Sequence, residues 1–519
     1  MGSQNSSSAK SDDDPLLPLW QLIWARRPIL GDIMRKHGAR NLYDYTRDFF
    51  DVNPSPMLDA RKPELIQIVQ DLLEERLGKK VAEEVARQLK KLPLVSTTDH
   101  HNPVAHPFFL NSNIVSGIPY METEDLDLKY LVVFSFASLS LNNDSGYSRG
   151  LVFHGGYNGD GPLIKLNIFS DKEKMAVIYG YRAFTTEDLD RAAASLDFKV
   201  KEGTLNPEKA KEVKGLLDTY FRAPEVLAAP DLCTQITKLD LLMWPRLFHP
   251  VQEKVPDLIY LDIETLVREV FLRVHLNKPE SFLYRMLFDE SWRPLINKYF
   301  NNVPGAFSLE KDWGTFLFWA LDEKNHRIRL KLDGKTLKST DGQFEFELTP
   351  ECIEKALRER KIFPAMFLCY FVVALYYGMK CLGGFCQVND LTKTKQVWQE
   401  MLRELGYNDE AEALVPLQTK ELGGDGMLLA YVKNSNNDLV APFGIDMILD
   451  KGSSRFEDYV EHTKILTFKE MMDPMVLEIY KVLFSFDERN PDYNIYTTDK
   501  ILEVTGLKEK LLDWSCLDD

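Results

Sequence analysis

Cysteine is scarce in this chain: there are six in 519 residues, at positions 233, 352, 369, 381, 386 and 516. That density excludes a disulfide framework and suits a reducing compartment, so a cytoplasmic protein is expected. Cys381 and Cys386 have no second cysteine pair or histidine beside them, which argues against a structural zinc site. Basic residues are in deficit too, with 63 Lys and Arg against 79 Asp and Glu and a formal charge of −16. Nucleic-acid binding needs clustered cations to neutralise phosphates, so no nucleic-acid partner is expected. Charge-free apolar runs of near-transmembrane length are missing except at residues 362–379, between Lys361 and Lys380. Pro364 and the tyrosines at 370, 376 and 377 make that run core structure, not a transmembrane span.

The start also lacks the basic-then-apolar order of a secretory signal, and residues 1–14, rich in Ser and Asp, read as a disordered leader. Met1-Gly2-Ser3-Gln4-Asn5-Ser6 fits the N-myristoylation pattern, with Gly2 as acceptor in a host that has the transferase. At the other end, residues 513–519 are expected to fray unless Trp514 docks.

What is present is an ordinary globular composition, 45% hydrophobic and 27% charged, in a chain long enough for several structural units. The first unit spans 15–204. Within it, residues 63–92 carry a helical apolar period, as one helix or two broken near Gly78. An apolar run at 92–95 then enters the polar loop 96–107, and Pro107 suits the first turn of a helix. Residues 128–136 read as a buried strand, with further strands at 151–153, 163–169 and 175–179. The region 205–310 is expected to be mainly helical, opening at Asn206-Pro207, with Asp257, Asp262 and Glu264 as solvated charges. The remainder, 311–519, is expected to be a mixed unit that completes the core. It holds a hairpin around Asp333-Gly334, a helix capped by Thr349-Pro350, a helix at 392–405, a loop at 423–426 and a helix start at Asp473-Pro474. The fold class is α/β, a Rossmann-like parallel-sheet core with a largely helical additional region.

Three of the nine histidines fall in the loop 96–107: His100 and His101 within Thr97-Thr98-Asp99-His100-His101-Asn102, and His106 at the helix start. Imidazoles move protons near neutral pH, meet phosphate when charged and bind metals when neutral. Asp99, His100, His101 and His106 are therefore the catalytic candidates, with Thr97, Thr98 and Asn102 contacting substrate or phosphate. Asn142, Asn143 and Arg149 follow the strong strand and form a second polar set, suited to reading a ligand edge and an anion. Gly383, Gly384 and Gln387 form a third, since paired glycines let backbone approach a ligand. A metal alternative uses His100, His101, His106 and the remote His154.

Taken in order, Thr97 to Pro103 before a helix, the hairpin at 326–348, the helix from Thr349, Ile362-Phe363-Pro364 and Gly383-Gly384-Phe385-Cys386-Gln387 resemble the bacillithiol-synthesis cysteine ligase family. The resemblance covers under a quarter of the chain. It implies a Rossmann-like core, an added helical region and ligation of an amino acid to a sugar amine. Where that family has a Gln pair this chain has His100 and His101; Asp99 replaces its Gly, and Phe385 the proline of its late turn. Asn142, Asn143 and Asp144 stand near the place of its acidic motif.

The expectation is thus an enzyme of ligase or nucleotidyl- or phosphoryl-transfer type. It acts on a small polar metabolite with a nucleotide such as ATP, and assembly with like copies is compatible with the sequence. A metal-dependent hydrolase built on the histidine-rich loop and a non-catalytic scaffold are the alternatives.

Overall fold

A computed structural model describes residues 14–103, 106–249, 254–311, 313–449 and 455–512. The leader, the Gly2 acceptor and Trp514 lie outside the described residues, save for Asp14. In chain order the strands are β1 (Leu94–Ser96), β2 (Tyr130–Ser135), β3 (Gly150–His154), β4 (Leu163–Asn167), β5 (Asp257–Asp262), β6 (Phe318–Leu321) and β7 (Arg327–Asp333). They continue with β8 (Thr336–Ser339), β9 (Glu345–Glu347), β10 (Ile362–Pro364), β11 (Lys380–Leu382), β12 (Val432–Lys433) and β13 (Leu439–Val440).

The central sheet is four-stranded and parallel, in the order β11-β1-β2-β5. All three sequence regions contribute to it. Its strands are apolar without alternation because both faces are covered, as parallel sheets require. Leu131 and Val133 of β2, with Leu258 and Tyr260 of β5, enter one core. The residues between them, Val132, Phe134, Ile259 and Leu261, enter the other. Helix Pro107–Glu122 packs into the first core, whereas helices Lys62–Leu77 and Lys79–Lys91 and the 362–379 run fill the second. Gly78 takes φ +87 between the latter two helices, so the expected pair is separate.

Residues 362–379 form β10, a helix Met366–Tyr370 and a wider helical turn Phe371–Tyr376. No helix among the described residues is long and apolar enough to cross a membrane. A second sheet, antiparallel in the order β10-β6-β7-β8-β9, contains the expected hairpin. Asn325, at φ +62 in the β6–β7 turn, donates from Nδ2 to the carbonyls of Val177 at 2.7 Å and Tyr179 at 2.8 Å, clamping this sheet to the body.

Three expectations need correction. Residues 257–262 are a strand inside the region read as helical; the apolar run passes straight into helix Ile263–Arg273, which conceals the boundary. The charges there are not solvated. Asp262 is buried against Arg76 at 2.6 Å, and buried Glu264 accepts from the amides of Ala137 at 2.9 Å and Ser138 at 3.0 Å. Residues 175–179 are not a strand but a turn with one bridge, Ser140 to Val177.

Candidate functional site: an acid-floored cavity at the carboxyl edge of the parallel sheet

From β1 the chain runs to β2 and β5 on one side, and β11 then joins β1 on the other. The strand order therefore reverses between β1 and β11, and open parallel sheets bind ligands in the crevice outside such a reversal. A cavity of about 330 Å³ lies there, within the range that holds small ligands. Thr98 and His100 follow β1, Phe136 and Ser138 follow β2, and Gly384, Cys386, Gln387 and Asp390 follow β11. Trp319, Arg327 and Tyr370 wall it, and Asp425 completes the floor.

Helix Pro107–Glu122 fixes the loop that carries Asp425. Ser112 and Ser116 donate to the carbonyl of Gly423 at 3.1 and 2.7 Å, and Asn111 Oδ1 accepts from the amides of Leu429 and Ala430 at 2.7 and 2.8 Å. Gly424, at φ +100, lies so close to the helix that a Cβ would come within 2.8 Å of Val115 and 2.9 Å of Ser112. Gly384 is equally constrained: a Cβ there would stand 2.2 Å from Asp425 Oδ2.

Asp99 lies behind the floor with no exposure. It accepts from Asn113 Nδ2 at 2.8 Å and from the hydroxyls of Thr98 and Tyr260. Burial pushes Asp99 up to about 6 against those bonds. Burial, and next the charge of Asp99, push the half-buried Asp425 up to about 7, while the amides of Phe385 and Gly426 favour its charged form. Asp390 is raised by burial and opposed by Arg27. Gln387 donates from Nε2 to Thr97 Oγ1 at 2.6 Å, and its buried Oε1 has no partner. A buried acceptor without a donor is costly, and this one belongs to a residue that lines the cavity.

The histidines of the loop form no metal-ligand cluster with one another among the described residues, although His100 and His106 both pack on Phe109. His100 faces the cavity, with Nδ1 3.3 Å from Ser145 Oγ. His101 is fully buried and bridges Ser135 Oγ at 2.7 Å and the carbonyl of Cys233 at 2.9 Å. His106 caps the following helix, its Nδ1 accepting from the Phe108 amide at 3.2 Å. Burial pushes His100 down to about 3 and His101 and His106 to about 4, so all three are neutral near pH 7 and offer phosphate no charge. His154 belongs elsewhere, with Nδ1 2.7 Å from Asp446.

Of the binding candidates, Thr98, Gly384 and Gln387 line the cavity and Thr97 braces Gln387. Gly383 is one residue back, its amide bonded to the Glu421 carbonyl at 2.9 Å. Asn102 is buried and donates to the Pro103 carbonyl at 3.1 Å. Arg149 is committed to the protein, donating to Phe169 O at 3.0 Å, Asp171 at 3.1 Å and Asn142 at 3.3 Å. Asn143 accepts from Ser145 within its own turn. Asn142, Asn143 and Arg149 do not line the cavity, but Asn143 and Ser145 hydrogen-bond to His100, which does.

Among the described residues, one cluster has metal-ligand types in reach: His101, Cys233 and Asp262, with ligand atoms within 4.8 Å of one another. The residues present do not fit an ion well. Arg76 already supplies the positive charge beside Asp262, and both ring nitrogens of His101 are hydrogen-bonded. Burial also pushes the Cys233 thiol well above its ordinary value, away from the thiolate a metal needs.

The chain matches no family model and none of the curated proteins with which it was compared.

Sequence reasoning missed Asp425, Asp390, Arg327 and Trp319. The turn Gly423-Gly424-Asp425-Gly426 was the one available signal: the acid is flanked by Gly424 and Gly426, both at positive φ that other residues rarely adopt.

Proposed function

We propose that this protein is an enzyme of ligase or transferase type whose Rossmann-like sheet binds a small amine-bearing metabolite in the cavity between β1 and β11. The observation that carries this reading is the floor. Asp390 and Asp425 line the cavity together with Gln387, whose Oε1 is unpaired, Asp99 lies behind them, and an ammonium or amine supplies the charge and donors that Asp390, Asp425 and Gln387 lack.

Asp425 is the general base of this reading, since a carboxyl near pH 7 can take a proton from an ammonium as its nitrogen becomes a nucleophile. The proton passes to Asp425 Oδ2, the nitrogen lone pair forms the new bond to the electrophilic carbon or phosphorus, and the bond to the leaving group breaks with its electron pair. Asp99, held by Tyr260 and Asn113, is a positioning residue that keeps negative charge behind the floor. Strand order supports a nucleotide such as ATP as the activating partner. The acidic floor favours the amine at the deep end, leaving phosphates to the open side.

The test is calorimetric titration of the full chain with n-pentylamine and with ATP, for the wild type and Asp425→Asn. Amine binding that disappears in Asp425→Asn supports the reading. Equal amine binding in both proteins, or none in the wild type, overturns it.

A further inference from the structure

The cavity has a cationic side as well as an acidic floor, and the second sheet supplies it. Arg327 opens β7 and Trp319 lies on the neighbouring β6, where Leu321 pairs with Arg327 and Trp319 with Arg329. That register makes Trp319 and Arg327 diagonal neighbours. The guanidinium carbon of Arg327 stands 4.9 Å from the Trp319 ring centroid, and Nη1 donates to the Ser138 carbonyl at 3.2 Å. The side chain is exposed, lines the cavity and has no carboxylate partner among the described residues. Most other arginines of the molecule are ion-paired, including Arg76, Arg149 and Arg182.

Its position is prepared. The β6–β7 turn is clamped by Asn325 to the carbonyls of Val177 and Tyr179, and Thr315 Oγ1 accepts from the Leu330 amide at 2.9 Å. Stacking on an indole holds a guanidinium flat and leaves its edge free to form paired bonds with a carboxylate or phosphate. Phe136, Phe367 and Tyr370 contribute apolar wall to the same cavity.

We propose that Arg327, stacked on Trp319, is an oxyanion subsite, so that the ligand of this cavity is bipolar. Its amine lies at Asp425 and Gln387, and a carboxylate or phosphate group lies at Arg327. The amine end rests on the functional reading above; the anion end rests on Arg327 alone.

The probes are n-pentylamine, pentanoate, 5-aminopentanoate and 4-aminobutyl phosphate, titrated calorimetrically into the full chain. The expected result is that at least one bipolar probe binds the wild type about tenfold or more tighter than pentylamine. Arg327→Met removes that gain without weakening pentylamine binding, which loses a nearby like charge, and Arg327→Gln serves if the first variant folds poorly. Whichever bipolar probe gains more identifies the oxyanion as carboxylate or phosphate. If pentylamine binds and neither bipolar probe gains, the subsite is overturned and the amine reading stands. If pentylamine fails while pentanoate or the phosphate binds wild type and not Arg327→Met, the amine reading falls and the subsite stands. Binding of no probe overturns both.

Discussion

Two groups of buried carboxylates in this molecule differ in what stands beside them. Asp262 at the end of β5 has Arg76 at 2.6 Å, and Asp446 has Lys209 at 2.8 Å and His154 at 2.7 Å. Burial opposes their charge, yet these partners hold both carboxyls below the ordinary carboxylate range. Asp425 in the cavity and Asp99 behind it have hydrogen-bond donors but no salt-bridge partner among the described residues, and burial raises both. The first group holds elements together in a settled charge state. The second is raised toward neutral pH at the place where strand order reverses.

The largest expected effect breaks the first group. Arg76→Met strands Asp262 without a counter-charge, and the loss should be about 3–5 kcal/mol in urea denaturation at pH 7. Adding Asp262→Asn should recover part of it. A loss below about 1 kcal/mol for the single variant would show that the pair carries little of the fold.

Next in size is Lys209→Met, which leaves Asp446 with the His154 ring and the backbone amides of His154 and Phe443. With those donors retained, the expected loss is about 2–3 kcal/mol. The same denaturation series checks the ranking, and a cost above that of Arg76→Met would reverse it.

Gly384→Ala tests the second group. A Cβ 2.2 Å from Asp425 Oδ2 must push the carboxylate aside, so pentylamine binding should weaken about tenfold or more. Stability should change by only about 1–2 kcal/mol, because the displaced carboxylate borders open space. Unweakened amine binding would remove Asp425 from the site.

These contrasts explain how much could be read in advance. The strand at 130–135 declared itself as an unbroken apolar run, the helices on either side of Gly78 as a helical period, and the hairpin through Asp333-Gly334. The strand at 257–262 merged with the helix behind it, and β11 is only three residues long, so neither had a period to show. The loop after β1 was legible as a site because it joins strand to helix, and Thr98, His100, Gly384 and Gln387 do reach the cavity. Charge state was not legible. His101 and His106 are spent on Ser135, Cys233 and a helix cap, while Arg327 and Asp425 arrive from elements more than 200 residues downstream of that loop. Sequence spacing carries no trace of such convergence.

The smallest expected effect is a pH dependence. A carboxyl whose folded value is raised binds its proton more tightly in the native state. The native state is therefore penalised as pH rises above the unfolded value near 3.9, and the full penalty is reached above the folded value. For Asp425, pushed up to about 7, the penalty develops between roughly pH 4 and 8. Asp99 lies behind it, Asp390 and Arg327 line the same cavity, Arg27 acts on Asp390, and His100 stays neutral across that range. Asp425→Asn should remove this contribution and raise stability at pH 8 relative to pH 5 by about 1–2 kcal/mol against the wild type. Amine binding to the wild type should strengthen over the same interval as Asp425 ionises, and the variant should show neither trend. Parallel stability curves for the two proteins from pH 5 to 8 would mean that Asp425 titrates like the paired carboxylates, and the contrast between the two groups would fail.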